Sequence, residues 1–151
     1  LKLLDIGTGS GCIAISLAKN FIQPEVYALD IDPDLYVMVL AGTAQQRAAE
    51  ELGCNFAAEI FADRAYNDDA TLVDRRLKGA VIHDADIAAQ RMVAMVQEGA
   101  IITESGKRIP TRIDTICLHG DTPTAVSIAA EVRRALQDGG IALAQFKGAS
   151  V

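Results

Sequence analysis

The stretch that most constrains the fold is Asp114-Thr-Ile-Cys-Leu-His-Gly-Asp-Thr-Pro123. Thr115 to Leu118 reads as a buried strand and His119-Gly-Asp121 as a polar turn. Thr122 then suits the N-cap of a helix, with Pro123 at its first position. A strand that passes through a short polar turn straight into a helix is the building unit of an α/β fold. In such folds the carboxyl ends of strands project side chains into the ligand crevice. His119 and Asp121, two residues apart at such an end, are therefore candidate site residues. The alternative is a turn whose Asp and Thr satisfy backbone donors while His119 packs.

The rest of the chain repeats that pattern. Leu1 to Ile6, Val26 to Leu29, Val37 to Leu40, Phe56 to Ile60 and Ile141 to Phe146 read as further strands. Thr43 caps a helix through Leu52, with Gln46 completing a capping box and Gly53 ending it. Asp84 caps a helix from Ala85 to Glu98 that Gly99 ends, with Ala88, Met92, Met95 and Val96 as its apolar stripe. Thr71 to Val73 and Gly79 to Ile82 are short extended pieces. Ile101 to Thr103 and Arg108 to Thr111 flank the hairpin signal Glu104-Ser-Gly-Lys107. The last helix runs to about Gln137 and is expected to bury Val126, Ala129, Val132 and Leu136. The expected fold is α/β: an open or partly closed, mostly parallel sheet of about six strands with flanking helices, in a single domain over residues 1–151.

Charge and cysteines narrow the function. The net charge of −6 argues against a nucleic-acid or anionic-membrane surface, because phosphate binding needs clustered Lys and Arg. Three cysteines, Cys12, Cys54 and Cys117, are odd in number and lack metal-site spacing. Buried thiols in a reducing, cytoplasmic setting are the expectation. No apolar run is long enough for a membrane span, and Leu1 to Asp5 is no signal peptide. The chain starts without Met inside a strand, as a piece of a longer chain would.

Two places carry chemistry besides Asp114–Pro123. Gly7, Gly9 and Gly11 let the backbone turn tightly before a helix expected over Cys12 to Lys19. Asp30 follows about 20 residues later, where a carboxylate can hold ribose hydroxyls. The GxGxG spacing favours S-adenosylmethionine over a dinucleotide; the alternative is a tight turn with no ligand. Glu59 and Asp63 bracket the exit of the strand Phe56 to Ile60 and are candidates to face the same crevice. The alternative there is a surface pair of either carboxylate with Arg64.

Residues 5–18, Asp-Ile-Gly-Thr-Gly-Ser-Gly-Cys-Ile-Ala-Ile-Ser-Leu-Ala, closely resemble motif I of the PrmC/HemK-type methyltransferases, and Ala28 to Pro33 their next strand. The resemblance covers residues 1–33, and the family's Asn-Pro-Pro-Tyr motif is missing. Residues 32–146 resemble the LamB/YcsF family, the A subunits of bacterial 5-oxoprolinase. The residues that carry this are Ala58-Glu-Ile-Phe-Ala-Asp-Arg-Ala-Tyr66, Gly79-Ala-Val-Ile-His-Asp84, Met95-Val-Gln-Glu-Gly99 and Asp114 to Asp121. The resemblance implies the carboxyl-terminal half of a β/α barrel over residues 34–151, patched by the strand–helix–strand unit of residues 1–33.

It further implies ATP-dependent hydrolysis of the lactam 5-oxo-L-proline to L-glutamate, together with partner 5-oxoprolinase subunits. Asp63, His119 and Asp121 become the expected catalytic residues, with Asp63 or Asp121 as base and His119 as proton donor or metal ligand. Glu59, Arg64 and Tyr66 become substrate-binding residues, and a divalent metal held by carboxylates suits the ATP chemistry. Polar motifs of that family's amino-terminal half are missing here. The chain alone is therefore expected to have little activity, and a non-catalytic chimeric scaffold is the third reading.

Overall fold

The computed structural model describes residues 2–6, 25–29, 36–120 and 122–146. The strands are β1 (Lys2–Ile6), β2 (Glu25–Leu29), β3 (Val37–Leu40), β4 (Phe56–Phe61), β5 (Ala100–Ile102), β6 (Arg108–Pro110) and β7 (Thr115–Cys117). The helices are α1 (Ala44–Glu51), α2 (Ala85–Glu98) and α3 (Ala125–Asp138). The fold is mixed α/β, as expected: β3, β4 and β7 form a parallel sheet in that order, covered by helices. β1 and β2 pair in parallel as a separate two-stranded ladder, and β5–β6 is the expected antiparallel hairpin. The glycine-rich segment with Gly7, Gly9 and Gly11, the helix expected after it, and Asp30 all lie outside the described residues.

The core sits between the sheet and helices α2 and α3. Ala58 and Ile60 from β4 pack there with Ala88, Met92 and Met95 of α2 and Ile128, Val132 and Leu136 of α3. Successive residues of a strand point to opposite faces. Glu59 therefore points to the face of β4 away from that core. A smaller cluster joins Val37 and Val39 to Ala48 and Ala49 under α1. Among the described residues, no helix is long and apolar enough to cross a membrane.

The caps show local chemistry at work. Asp84 accepts from the Ile87 N–H at 3.0 Å, and Gly99 closes α2 in the left-handed region at φ 60°. Thr43 caps α1 by accepting from the Gln45 N–H at 3.2 Å. Gln46 does not return to the Thr43 N–H; its Oε1 accepts from Gly42 N–H at 2.8 Å, so the expected box closes one residue earlier.

Three expectations need correction. Helix α3 begins at Ala125, behind Thr124, and not at Pro123. The Thr122 carbonyl accepts from the Ala125 N–H at 3.1 Å, which makes residues 122–125 a tight turn that precedes the helix. Its buried stripe is Ile128, Val132 and Leu136, while Val126 is 81% exposed. Ile141 to Phe146 forms no strand, because no ladder partner pairs with it among the described residues. It runs past β7 and α3 and ends with Phe146 edge-on to Tyr36, ring centroids 5.1 Å apart. The pieces at 71–73 and 79–82 supply isolated bridges, Tyr66 to Leu72 and Arg64 to Val81, that fold the loop after β4 back on itself.

Candidate functional site

The site follows from the register of two strands. β4 and β7 pair with Glu59 opposite Thr115 and Phe61 opposite Cys117. Two residues further along each chain, the same register brings Asp63 to His119. Nδ1 of His119 lies 3.0 and 2.9 Å from the two carboxylate oxygens of Asp63. A carboxylate only accepts, so in the neutral ring Nδ1 carries the proton and Nε2 keeps its lone pair. Asp63 is 5% exposed and the His119 side chain 26% exposed, so the pair has a buried end and an open end. The Phe61 ring stacks on the imidazole at 5.1 Å with an interplanar angle of 11°. A buried carboxylate needs such a partner to offset its lost hydration.

The start of β7 fixes that register. The Asp114 N–H donates to the Ala58 carbonyl and an Asp114 carboxylate oxygen accepts from the Ala58 N–H, both at 2.8 Å. Arg112 Nε donates to the same carboxylate at 2.9 and 2.7 Å, and its guanidinium lies 4.6 Å from the Phe56 ring centroid. A one-residue slip would turn every side chain of β7 to the other face.

Two groups beside the pair have shifted proton affinities. Burial pushes the Glu59 carboxyl above the usual carboxylate range, and the charge of His119 partly offsets this. Burial, with Glu59 and Asp63 nearby, pushes the Cys117 thiol up to about 11. Cys117 is therefore a protonated thiol at neutral pH, not a nucleophilic thiolate.

Arg64 and Tyr66, expected to bind substrate, are turned inward to hold the loop. Arg64 is buried and donates from Nη2 to the Val73 carbonyl at 2.7 Å and from Nε to the Ala80 carbonyl at 3.4 Å. Tyr66 is 0% exposed, and its hydroxyl accepts from the Phe61 N–H at 2.7 Å. Burial raises that phenol to about 12. With its donors on carbonyls, Arg64 makes neither of the two surface pairs considered from sequence. Asp121 lies outside the described residues, as do Gly7, Gly9, Gly11 and Asp30.

Sequence reasoning missed Arg91. It follows Ala88 by three positions and precedes Met95 by four, so its place on the buried stripe of α2 was the available signal. Its Nη1 donates to the Ala62 carbonyl at 3.4 Å and its Nη2 to the Arg64 carbonyl at 3.2 Å.

A cavity of about 450 Å³ lies elsewhere, between β7, α3 and residues 141–146. Ile116, Leu118, Val132 and Leu136 line it, and Glu59, Asp63 and His119 do not. It belongs to the helix layer and is separate from the Asp63–His119 pair. Among the described residues, no group of three or more His, Cys, Asp or Glu could hold a metal ion.

Known proteins share this chain's sequence and fold. The LamB/YcsF family profile matches residues 15–151, beginning well before the boundary expected near residue 32. A protein from Ruegeria pomeroyi, named as the A subunit of 5-oxoprolinase, is 63% identical over 120 residues, 80% of this chain and 47% of its own length. One of the same name from Nitrobacter hamburgensis is 55% identical over 119 residues, 79% of this chain and 47% of its own. The crystal structure of a lactam utilization protein from Thermus thermophilus superposes with a TM-score of 0.67 at 36% identity, covering 76% of this chain and 45% of that one. The chain spans about half the length of the curated relatives it matches. With a family match over most of its length and relatives at this identity, the chain belongs to the LamB/YcsF family.

Proposed function

We propose that this chain forms the carboxyl-terminal half of the A subunit of a 5-oxoprolinase, folded as one domain, acting with partner subunits in the ATP-dependent opening of 5-oxo-L-proline to L-glutamate. The observation that carries the reading is the Asp63–His119 pair at the open ends of β4 and β7. Relatives bearing that name support the substrate class.

Lactam hydrolysis needs a base for water and an acid for the departing amine. Nε2 of His119 takes the water proton, and Asp63 stabilises the imidazolium through Nδ1–H. The proton on Nε2 then passes to the ring nitrogen as the carbon–nitrogen bond breaks. In this assignment Asp63 orients His119, and the base role expected for Asp63 passes to the imidazole. Glu59 stands beside the pair on the same face, available to a polar group of the substrate.

The groups at the strand ends, Glu59 and Asp63, are carboxylates, while Arg64 and Arg91 are committed to backbone carbonyls. ATP is thus assigned to residues elsewhere in the assembly, and no step here runs through it. An S-adenosylmethionine site at Gly7, Gly9, Gly11 and Asp30 has one support, the parallel pairing of β1 with β2 that a strand–helix–strand unit gives. Calorimetry with that ligand tests it, and the absence of heat at millimolar ligand removes it.

The main test is glutamate release from 5-oxo-L-proline and ATP by the full-length protein in complex with its partners. Asp63→Asn and His119→Ala are expected to lower kcat by about 10²- to 10⁴-fold. Retained activity in either folded variant would remove the pair from the chemistry.

A further inference from the structure

We propose that Arg91 is a positioning residue: from α2 it grips the two backbone carbonyls on either side of Asp63 and so sets the carboxylate against His119. The inference rests on the Asp63–His119 reading above and goes beyond it, since Arg91 touches neither side chain.

The geometry is that of a clamp. Asp63 sits just beyond β4, where the pairing with β7 ends and a single bridge, Arg64 to Val81, takes over. The carbonyls of residues 62 and 64 need donors there, because Ala62, Asp63 and Arg64 are all buried. One planar guanidinium supplies both, Nη1 to Ala62 and Nη2 to Arg64. The fork fixes the orientation of the peptides flanking Asp63, which a single-point donor such as Lys cannot do. Asp63 is also tied through its own carbonyl, which accepts from the Ile82 N–H at 2.8 Å. Arg91 and Ile82 together hold three consecutive carbonyls.

An arginine on the buried stripe of a helix is costly unless its charge finds acceptors. Ala88, Met92 and Met95 around it are buried and apolar. Burial lowers the proton affinity of Arg91 itself, as expected of a cation partly stripped of water. A stripe position that only needed filling would take Leu or Met. The ionisable groups around the pair are Glu59 on β4, Cys117 on β7, and Arg64 and Tyr66 in the loop. Of these, Arg64 donates to the Val73 and Ala80 carbonyls and Tyr66 accepts from the Phe61 N–H at the end of β4, which leaves the Ala62 and Arg64 carbonyls to Arg91.

The test reads the imidazole directly, without substrate. The chain has two histidines, and His83 is exposed, one residue past the Ile82 that bonds the Asp63 carbonyl, so its ring is read alongside as a solvent-facing control. Nitrogen-15 NMR of the two rings, at a pH where both are neutral, reports which nitrogen carries the proton. In the parent protein His119 is expected in the Nδ1–H form. Arg91→Met keeps the stem and removes both donors. It is expected to lower the ratio of Nδ1–H to Nε2–H tautomer at His119 about tenfold, the loss of one hydrogen bond's preference, with His83 unchanged. Arg91→Lys is expected to restore part of the ratio. A folded Arg91→Met protein with the parent tautomer at His119 overturns the proposal. So does unfolding of both variants, which would make Arg91 a general support of the fold. If the parent itself lacks the Nδ1–H form, the Asp63–His119 reading fails first.

Discussion

Ile60 and Glu59 are adjacent on β4, yet the sheet sends them to opposite surroundings. Ile60 is fully buried beneath α2 and α3, among Met92, Met95 and Ile128. Glu59 points the other way and is half-buried near His119 and Cys117. One face of the strand holds the fold together, and the other exposes a carboxyl at some cost to the folded state. Substitutions one residue apart should therefore separate stability from chemistry.

The largest effect tests the packed face. Ile60→Ala leaves a void in a core of bulky aliphatic and methionine side chains that α2 and α3 hold in place. The expected loss is about 3 kcal/mol in urea unfolding. Glu59→Ala should cost far less, since no methylene of Glu59 enters that core. Equal losses at the two positions would break the comparison.

Next in size is the lock between the strands. Asp114 joins the Ala58 N–H and the Arg112 guanidinium, so Asp114→Ala leaves the Ala58 N–H and the Arg112 Nε–H without their acceptor. The expected loss is about 1–2 kcal/mol, larger at low salt. Because the register positions His119 opposite Asp63, the same variant should broaden the His119 imidazole signals. An unchanged imidazole in Asp114→Ala would show that the loop after β4, and not the ladder, sets the pair.

Much of the packed face was legible in the sequence. Asp84 and Gly99 bound α2 through local hydrogen bonds and a left-handed turn, and both stood in the sequence as cap residues. The hairpin around Glu104–Lys107 was equally local. One failure depended on partners distant in sequence and one on a local turn. Ile141 to Phe146 alternates like a strand, but a strand needs a ladder. Pro123 suits a first helical turn, yet the turn at Thr122–Ala125 delays α3 and moves its stripe from Val126 to Ile128. At the site, Glu59, Asp63 and His119 were visible as polar residues at strand exits. Their pairing was not, because it depends on the β4–β7 register. Arg64 and Tyr66 stood out by polarity alone, and Arg91 was passed over, because sequence does not show which backbone group a guanidinium or hydroxyl will meet.

The smallest effect is the most diagnostic of the exposed face. Burial holds Glu59 above its ordinary carboxylate range, so its ionised form costs the folded state. The sign follows: stability linked to Glu59 is complete below the ordinary carboxylate pKa and is lost as pH rises through the raised one. Glu59→Gln removes that loss. The variant should match the parent near about pH 4 and exceed it near about pH 7, by about 0.5 kcal/mol once solvent screening is allowed for. Urea unfolding at the two pH values measures it, and a variant less stable than the parent near neutrality would show that Glu59 has a stabilising partner instead. If Glu59 serves the substrate, the same substitution gains stability while losing turnover in the assembled enzyme, the trade expected where a fold keeps a carboxylate for chemistry. A gain in stability without loss of turnover would confine the chemistry to Asp63 and His119.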